Sequence, residues 1–171
     1  MCMGLCSRKD DVMTSLNRIT IHWTAGTYVP NETDKQAYHF LIDGEGKVHK
    51  GKYKPEDNIN CQDGVYARHC GGGNTGNIGI ALCGMYSQDY PIKRIQLEAA
   101  CKLTAQLCDK YGIRITNKNI VTHAEFGKQH PHTTSAGKID IINLPCVAVY
   151  GVDNVGNWIR NKVQWYRQHL A

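Results

Sequence analysis

Hydrophobic positions follow two rhythms along this chain: short β-branched runs through the first two thirds, and helical stripes further on. The run Arg18-Ile-Thr-Ile-His-Trp-Thr24, closed by Ala25-Gly26, predicts a buried strand over 18–24. Thr27–Ala37 is polar, carries Pro30 and Asn31, and reads as a loop with one helical turn. Tyr38–Asp43 alternates into a second strand, Asp43-Gly-Glu-Gly46 is a turn, and Lys47–Lys50 returns as its hairpin partner. Val65–Cys70 predicts a short strand, and the continuous apolar run Asn77–Cys83 a central one. Leu97, Ala100, Cys101, Thr104, Leu107, Cys108 and Tyr111 then share one helical face, and Gly112 stops that helix. Ile120–Thr122 is a strand running into His123. A last helix begins near Asp153 with Val155, Trp158, Ile159, Val163, Tyr166 and Leu170 on one face, despite Gly156. Residues 1–16 lack periodicity and read as a loose arm, which leaves 17–171 as one domain. Interspersed strands and helices with an antiparallel hairpin predict an α/β (α+β) fold, a mixed central sheet flanked by helices.

Composition narrows this picture. A length of 171 residues suits one domain with a real core, and 42% hydrophobic content marks it as globular. The net charge of +5 comes from scattered Lys and Arg rather than a stripe, which argues against a nucleic-acid partner. A mild basic bias suits an anionic cell-wall polymer. No stretch approaches the ~20 apolar residues a bilayer span needs, so no membrane insertion is expected. Eight cysteines invite a disulfide framework, but the first ten residues include Arg8, Lys9 and Asp10 and lack an apolar signal core. Reduced cysteines in a protein made in a cytoplasm without a signal peptide are the expectation. Gly71-Gly-Gly-Asn-Thr-Gly76 has no following Lys-Ser/Thr and precedes a strand, so it is not a phosphate loop.

The chemistry concentrates at strand ends. His22 and His123 each close an apolar run, with imidazoles expected to point out of the sheet edge, and Asp140 follows in Gly137-Lys-Ile-Asp140. Two imidazoles and a carboxylate with an open fourth position make the ligand set of a catalytic Zn²⁺. His130 and His132 lie between His123 and Asp140 as alternative third ligands.

Five fragments occur in a familiar order: Ile21-His-Trp-Thr-Ala25, Tyr38-His-Phe-Leu-Ile-Asp-Gly-Glu-Gly-Lys-Val48, Asn77-Ile-Gly-Ile80, Thr122-His-Ala-Glu125 and Lys138-Ile-Asp140. Together, over roughly residues 16–145, they resemble the zinc-dependent N-acetylmuramoyl-L-alanine amidases of type 2, a family that includes phage endolysins and animal peptidoglycan-recognition proteins. The resemblance implies hydrolysis of the amide between N-acetylmuramic acid and L-alanine of peptidoglycan, with one zinc ion held by His22, His123 and Asp140. It implies catalytic roles for Tyr38 and Lys138. Ala81 stands where some bacterial members carry a catalytic Glu, which shifts the burden to Tyr38 and a water activated by the ion. If Asp140 is extended, Lys138 shares its face. His69, Thr24 and Asn74 are candidate substrate contacts. The implied role is a monomeric phage-type endolysin acting on the wall after holin release. The alternatives are a muropeptide-recycling amidase, an antibacterial effector, or a module that binds peptidoglycan without cleaving it.

Overall fold

A computed structural model describes residues 15–170. Of the expected arm, 1–14 lie outside the described residues, while Leu16 is buried in the core. The elements in chain order are β1 (Arg18–Trp23), α1 (Glu32–Ala37), β2 (Phe40–Ile42), β3 (Val48–Lys50), β4 (Asn77–Leu82), α2 (Arg94–Tyr111), β5 (Ile120–Thr122), α3 (His123–Gln129), β6 (Asn143–Leu144), β7 (Val149–Tyr150) and α4 (Val152–Gln168). Short 3-10 turns occupy Pro55–Asn58 and Pro145–Val147.

Five strands form one sheet in the order β3-β2-β4-β1-β5. β1 runs parallel to β4 and β5, β2 runs parallel to β4, and β3 pairs antiparallel with β2. This is the expected mixed sheet. Side chains alternate across it, so the two faces of β1 and β4 differ in character. Ile19, Ile21, Ile78, Ile80 and Leu82 join Leu97, Ala100 and Cys101 of α2 and Val155, Ile159 and Val163 of α4 in the main core. Thr20, His22, Asn77, Gly79 and Ala81 occupy the opposite face, which is polar yet buried. In register, Leu41, Ala81 and His22 lie side by side across three strands.

The expected strand over Val65–Cys70 does not form. Side-chain amides do there what a neighbouring strand would: Asn58 exchanges hydrogen bonds with both backbone groups of Ala67, and Asn74 Oδ1 accepts from the amides of His69 and Cys70. The helical turn expected within Thr27–Ala37 is the six-residue α1, opened by a reciprocal cap between Asn31 and Asp34. β5 ends at Thr122 and passes directly into α3 at His123, where Thr122 and Glu125 form the same kind of cap.

Two glycines explain themselves by contact. A Cβ on Gly156 would lie 2.2 Å from Glu125 Oε2, so the glycine that weakens the α4 stripe is where that helix crosses a buried carboxylate. A Cβ on Gly79 would lie 2.5 Å from His69 Cγ, so the His69 ring lies flat on the bare backbone of β4. Gly79→Ala is therefore expected to destabilise the fold by about 1–3 kcal/mol through overpacking. A urea midpoint equal to that of the wild type would contradict this contact.

Candidate metal centre

His22 is the penultimate residue of β1 and turns to the polar face, where none of it is exposed. This corrects the expectation that its ring projects past the sheet edge; it lies in the floor of the site. His123 is the first residue of α3, held at the end of β5 by the Thr122–Glu125 cap. The Glu125 carboxylate also takes a two-pronged hydrogen bond from Arg160 of α4, at 3.0 and 2.9 Å, and Arg160 reaches Ile120 O as well. The last helix thus anchors the segment that presents His123. Asp140 sits in a turn, so the condition under which Lys138 would share its face is not met. It is buried, while Lys138 is exposed and the intervening Ile139 is 59% exposed. The loop buries the carboxylate and leaves the Lys138 side chain exposed, so shared strand facing is not what relates them.

The three candidate ligands converge. His22 Nδ1 lies 3.1 Å from His123 Nδ1, and Asp140 Oδ2 lies 3.5 Å from the first and 3.6 Å from the second. A tetrahedral zinc ion about 2.0–2.1 Å from each ligand would hold them about 3.3–3.4 Å apart, so the donor set fits zinc in spacing as well as chemistry. This is the one group of potential metal ligands among the described residues. Asp140 closes it, and neither alternative histidine does. His130 stacks on Phe126 and bonds to its carbonyl, and His132 is exposed.

Burial lowers the His22 pKa to about 4, so this ring is neutral at pH 7 and has a lone pair to offer. Burial by itself would raise the Asp140 carboxyl, but the facing His123 and His22 rings outweigh it and hold the group well below the usual carboxylate range. Burial raises the Tyr38 hydroxyl above its ordinary range, reinforced by the Asp140 charge. The Tyr38 ring lies 5.1 Å from that of His22, and its hydroxyl reaches Trp23 O at 3.4 Å.

The remaining expected residues have their polar atoms turned inward. Thr24 Oγ1 accepts from the amides of Gly26 and Gly84, which ties down the loops after β1 and β4. Asn74 organises the 69–74 turn as described above. His69 is 5% exposed and both its ring nitrogens are engaged, Nδ1 with His22 Nε2 at 2.9 Å and Nε2 with Asn77 O at 2.9 Å. Sequence reasoning missed Ser135, which hydrogen-bonds His123 Nε2 at 3.0 Å, and no local motif marks it. Sequence position alone offers Glu125 either as a solvated loop carboxylate or as a hydrogen-bond support for His123, although Thr-x-x-Glu is itself a helix-start signature. Cys61, Cys70, Cys83, Cys101, Cys108 and Cys146 are free thiols, and burial raises Cys83 to about 12 and Cys108 to about 11, so these two stay protonated. No helix among the described residues is long and apolar enough to cross a membrane.

The buried histidines carry a stability consequence. His22 and His39 are held neutral to about pH 4 by burial, and burial pushes His69 well below its usual value too. Unfolded, each takes its proton near pH 6.5, so unfolding consumes protons between about pH 6.5 and 4. Stability of the metal-free protein is expected to fall as pH drops through that window, by up to about 1.4 kcal/mol per pH unit for each histidine. Urea midpoints at pH 7.5 and pH 5 that coincide would contradict this.

Comparison with known proteins agrees with the geometry. A family model described as N-acetylmuramoyl-L-alanine amidase matches residues 13–138. A search of curated proteins gives no match. Among solved structures, the Staphylococcus aureus hydrolase AmiA, determined in complex with its ligand, is similar over 93% of this chain and 78% of its own, with a TM-score of 0.63 and 14% identity. The structure of PlyL is similar over 87% of this chain and 84% of its own, with a TM-score of 0.52 and 17% identity. These structural likenesses bear on the fold, and the match of most of the chain bears on the family. This chain belongs to the type 2 N-acetylmuramoyl-L-alanine amidase family.

Proposed function

We propose that this chain is a zinc-dependent amidase that hydrolyses the bond between N-acetylmuramic acid and L-alanine of peptidoglycan, serving as a phage-type endolysin. The observation that carries the reading is the convergence of His22 Nδ1, His123 Nδ1 and Asp140 Oδ2 at the spacing a tetrahedral ion needs. A zinc ion held there supplies Lewis acidity, which brings the pKa of water from 15.7 towards about 7 and polarises a carbonyl.

The protein's own groups have the remaining work. His22 offers a neutral ring and Asp140 an ionised carboxylate, so both are ready to bind a cation at neutral pH. Tyr38, its phenol held protonated, serves as a hydrogen-bond donor or proton relay towards the departing amine and not as a free base. Ala81 pairs in register with His22, so a methyl group stands beside the ligand and no carboxylate base is supplied from that position. Lys138, exposed and two residues before Asp140, stabilises the oxyanion that forms as the amide carbonyl is attacked. Lys138→Ala is expected to lower kcat/KM by about 10²–10³-fold, the loss of roughly 2.7–4 kcal/mol, with zinc content unchanged. Full turnover in that variant would remove Lys138 from the mechanism.

Manufacture in the host cytoplasm, release to the wall through a holin, and action as a monomer complete the proposal. A net charge of +5 suits an anionic wall. The decisive experiment digests purified peptidoglycan and weighs the products, beside a measurement of bound metal. Free stem peptides with intact glycan, abolished by chelation and restored by zinc, support the amidase. New reducing sugar ends would indicate a glycosidase, and walls bound but left uncut would indicate a binding module.

A further inference from the structure

The polar face under the metal centre holds two hydrogen-bond chains whose proton positions can be deduced from their fixed ends. Asn77 O is a peptide carbonyl and can only accept, so the His69 nitrogen facing it, Nε2, carries the proton. His69 is buried and its two partners, a peptide carbonyl and an imidazole, carry no negative charge to hold a second proton, so its Nδ1 is a bare lone pair. That lone pair lies 2.9 Å from His22 Nε2, which must therefore be the donor. A neutral His22 with its proton on Nε2 has its own lone pair on Nδ1, the atom aimed at the metal centre.

The second chain repeats the logic with different residues. Gly71 O is again a carbonyl and takes the single hydroxyl proton of Ser135 at 2.7 Å. Ser135 Oγ is then left as acceptor for the His123 Nε2 proton at 3.0 Å, which leaves the lone pair of His123 on Nδ1. Both Nδ1 atoms, 3.1 Å apart, then face each other and Asp140 Oδ2 with no proton among them. Three lone pairs in such contact repel unless a cation lies between them. Neither chain is a loose surface contact: His22, His69, His123 and Ser135 are all buried. Gly79 provides the seat for the His69 ring, because any Cβ there would overlap it.

We infer that His69 and Ser135 are positioning residues that lock His22 and His123 as Nε2–H tautomers, with the Asn77 and Gly71 carbonyls as the fixed ends. The inference rests on the metal reading of the site. It goes beyond that reading by assigning which nitrogen of each ring binds the ion and which groups enforce it. His69 is then a support beneath a ligand and not a wall of the substrate groove.

The test uses the full chain with ¹⁵N-labelled histidine, loaded with zinc. Two-bond ¹H–¹⁵N spectra should show the proton on Nε2 in His22, His69 and His123, and a proton on Nδ1 of His22 or His123 overturns the inference. Zinc affinity, measured by competition with a chromophoric chelator, gives an independent reading. His69→Leu and Ser135→Ala should each weaken binding by about 10–100-fold. His69→Gln should restore most of the affinity, because its amide oxygen can accept from His22 while its NH₂ donates to Asn77 O. Undiminished affinity in both His69→Leu and Ser135→Ala overturns the inference as well. Should His69→Leu fail to fold, Ser135→Ala and the spectra of the unaltered chain still decide. A wild-type chain that takes up no zinc defeats the metal reading and this inference together. One that binds zinc but cleaves no amide defeats only the amidase activity, and the tautomers remain readable.

Discussion

Asp140→Ala is expected to abolish zinc retention and to lower amide hydrolysis by about a thousandfold or more. The size follows from losing several kcal/mol of charge stabilisation at 1.36 kcal/mol per tenfold in rate. The fold should survive, because Asp140 lies in a turn outside the sheet and the apolar cluster packed against α2 and α4 does not include it. Metal analysis after dialysis, turnover on purified walls and a thermal melt together check the prediction. Asp140→Asn sharpens it: the amide keeps the shape but removes the negative charge, so it should bind zinc far less tightly than the wild type. If Asp140→Ala kept a full complement of zinc, the third ligand would have to come from elsewhere.

The largest effect on stability is expected from Glu125→Ala. Its carboxylate and the Arg160 guanidinium are almost wholly buried, with side chains 6% and 11% exposed. Removing one partner of such a pair leaves a buried charge uncompensated, which costs about 3–5 kcal/mol. For a chain of this length that is a drop in Tm of roughly 6–20 °C. The same substitution removes half of the reciprocal cap at the start of α3 and so loosens His123, so zinc affinity should fall alongside stability. Lys128→Ala is the contrasting control. It breaks the Lys128–Asp153 pair, whose side chains are 64% and 73% exposed, and should cost no more than about 1 kcal/mol. Equal melting temperatures for Glu125→Ala and Lys128→Ala would mean that the buried pair is not what holds α3 in place.

The sequence announces some of this architecture and conceals the rest, for identifiable reasons. β1, β4 and α2 are legible because each carries a sustained apolar rhythm and a clear stop, and the mixed sheet follows from them. His22, His123 and Asp140 are legible as ligand types, and five short fragments in order point to the family. What cannot be read locally is what depends on distant partners. Val65–Cys70 has the composition of a strand, but Asn58 and Asn74 take up its backbone groups. Gly156 looks like a flaw in a helix until Glu125 is seen beneath it, and Gly79 looks like a gap in a strand until His69 is laid on it. The exception is α3, whose Thr122-x-x-Glu125 start signal is legible in the sequence although it overlaps the end of the β5 apolar run.

The candidate ligands come from chain positions 22, 123 and 140, and that separation would give an ion held there a mechanical role. Closing the centre ties the first strand to a loop more than a hundred residues downstream, as a removable cross-link would. Free zinc at a hundred times its dissociation constant adds about 2.7 kcal/mol to the folded state. On the proposed reading, scarcity of the metal would therefore expose the loop carrying Asp140 to proteases as well as silence the chemistry, so one ion would govern both activity and lifetime.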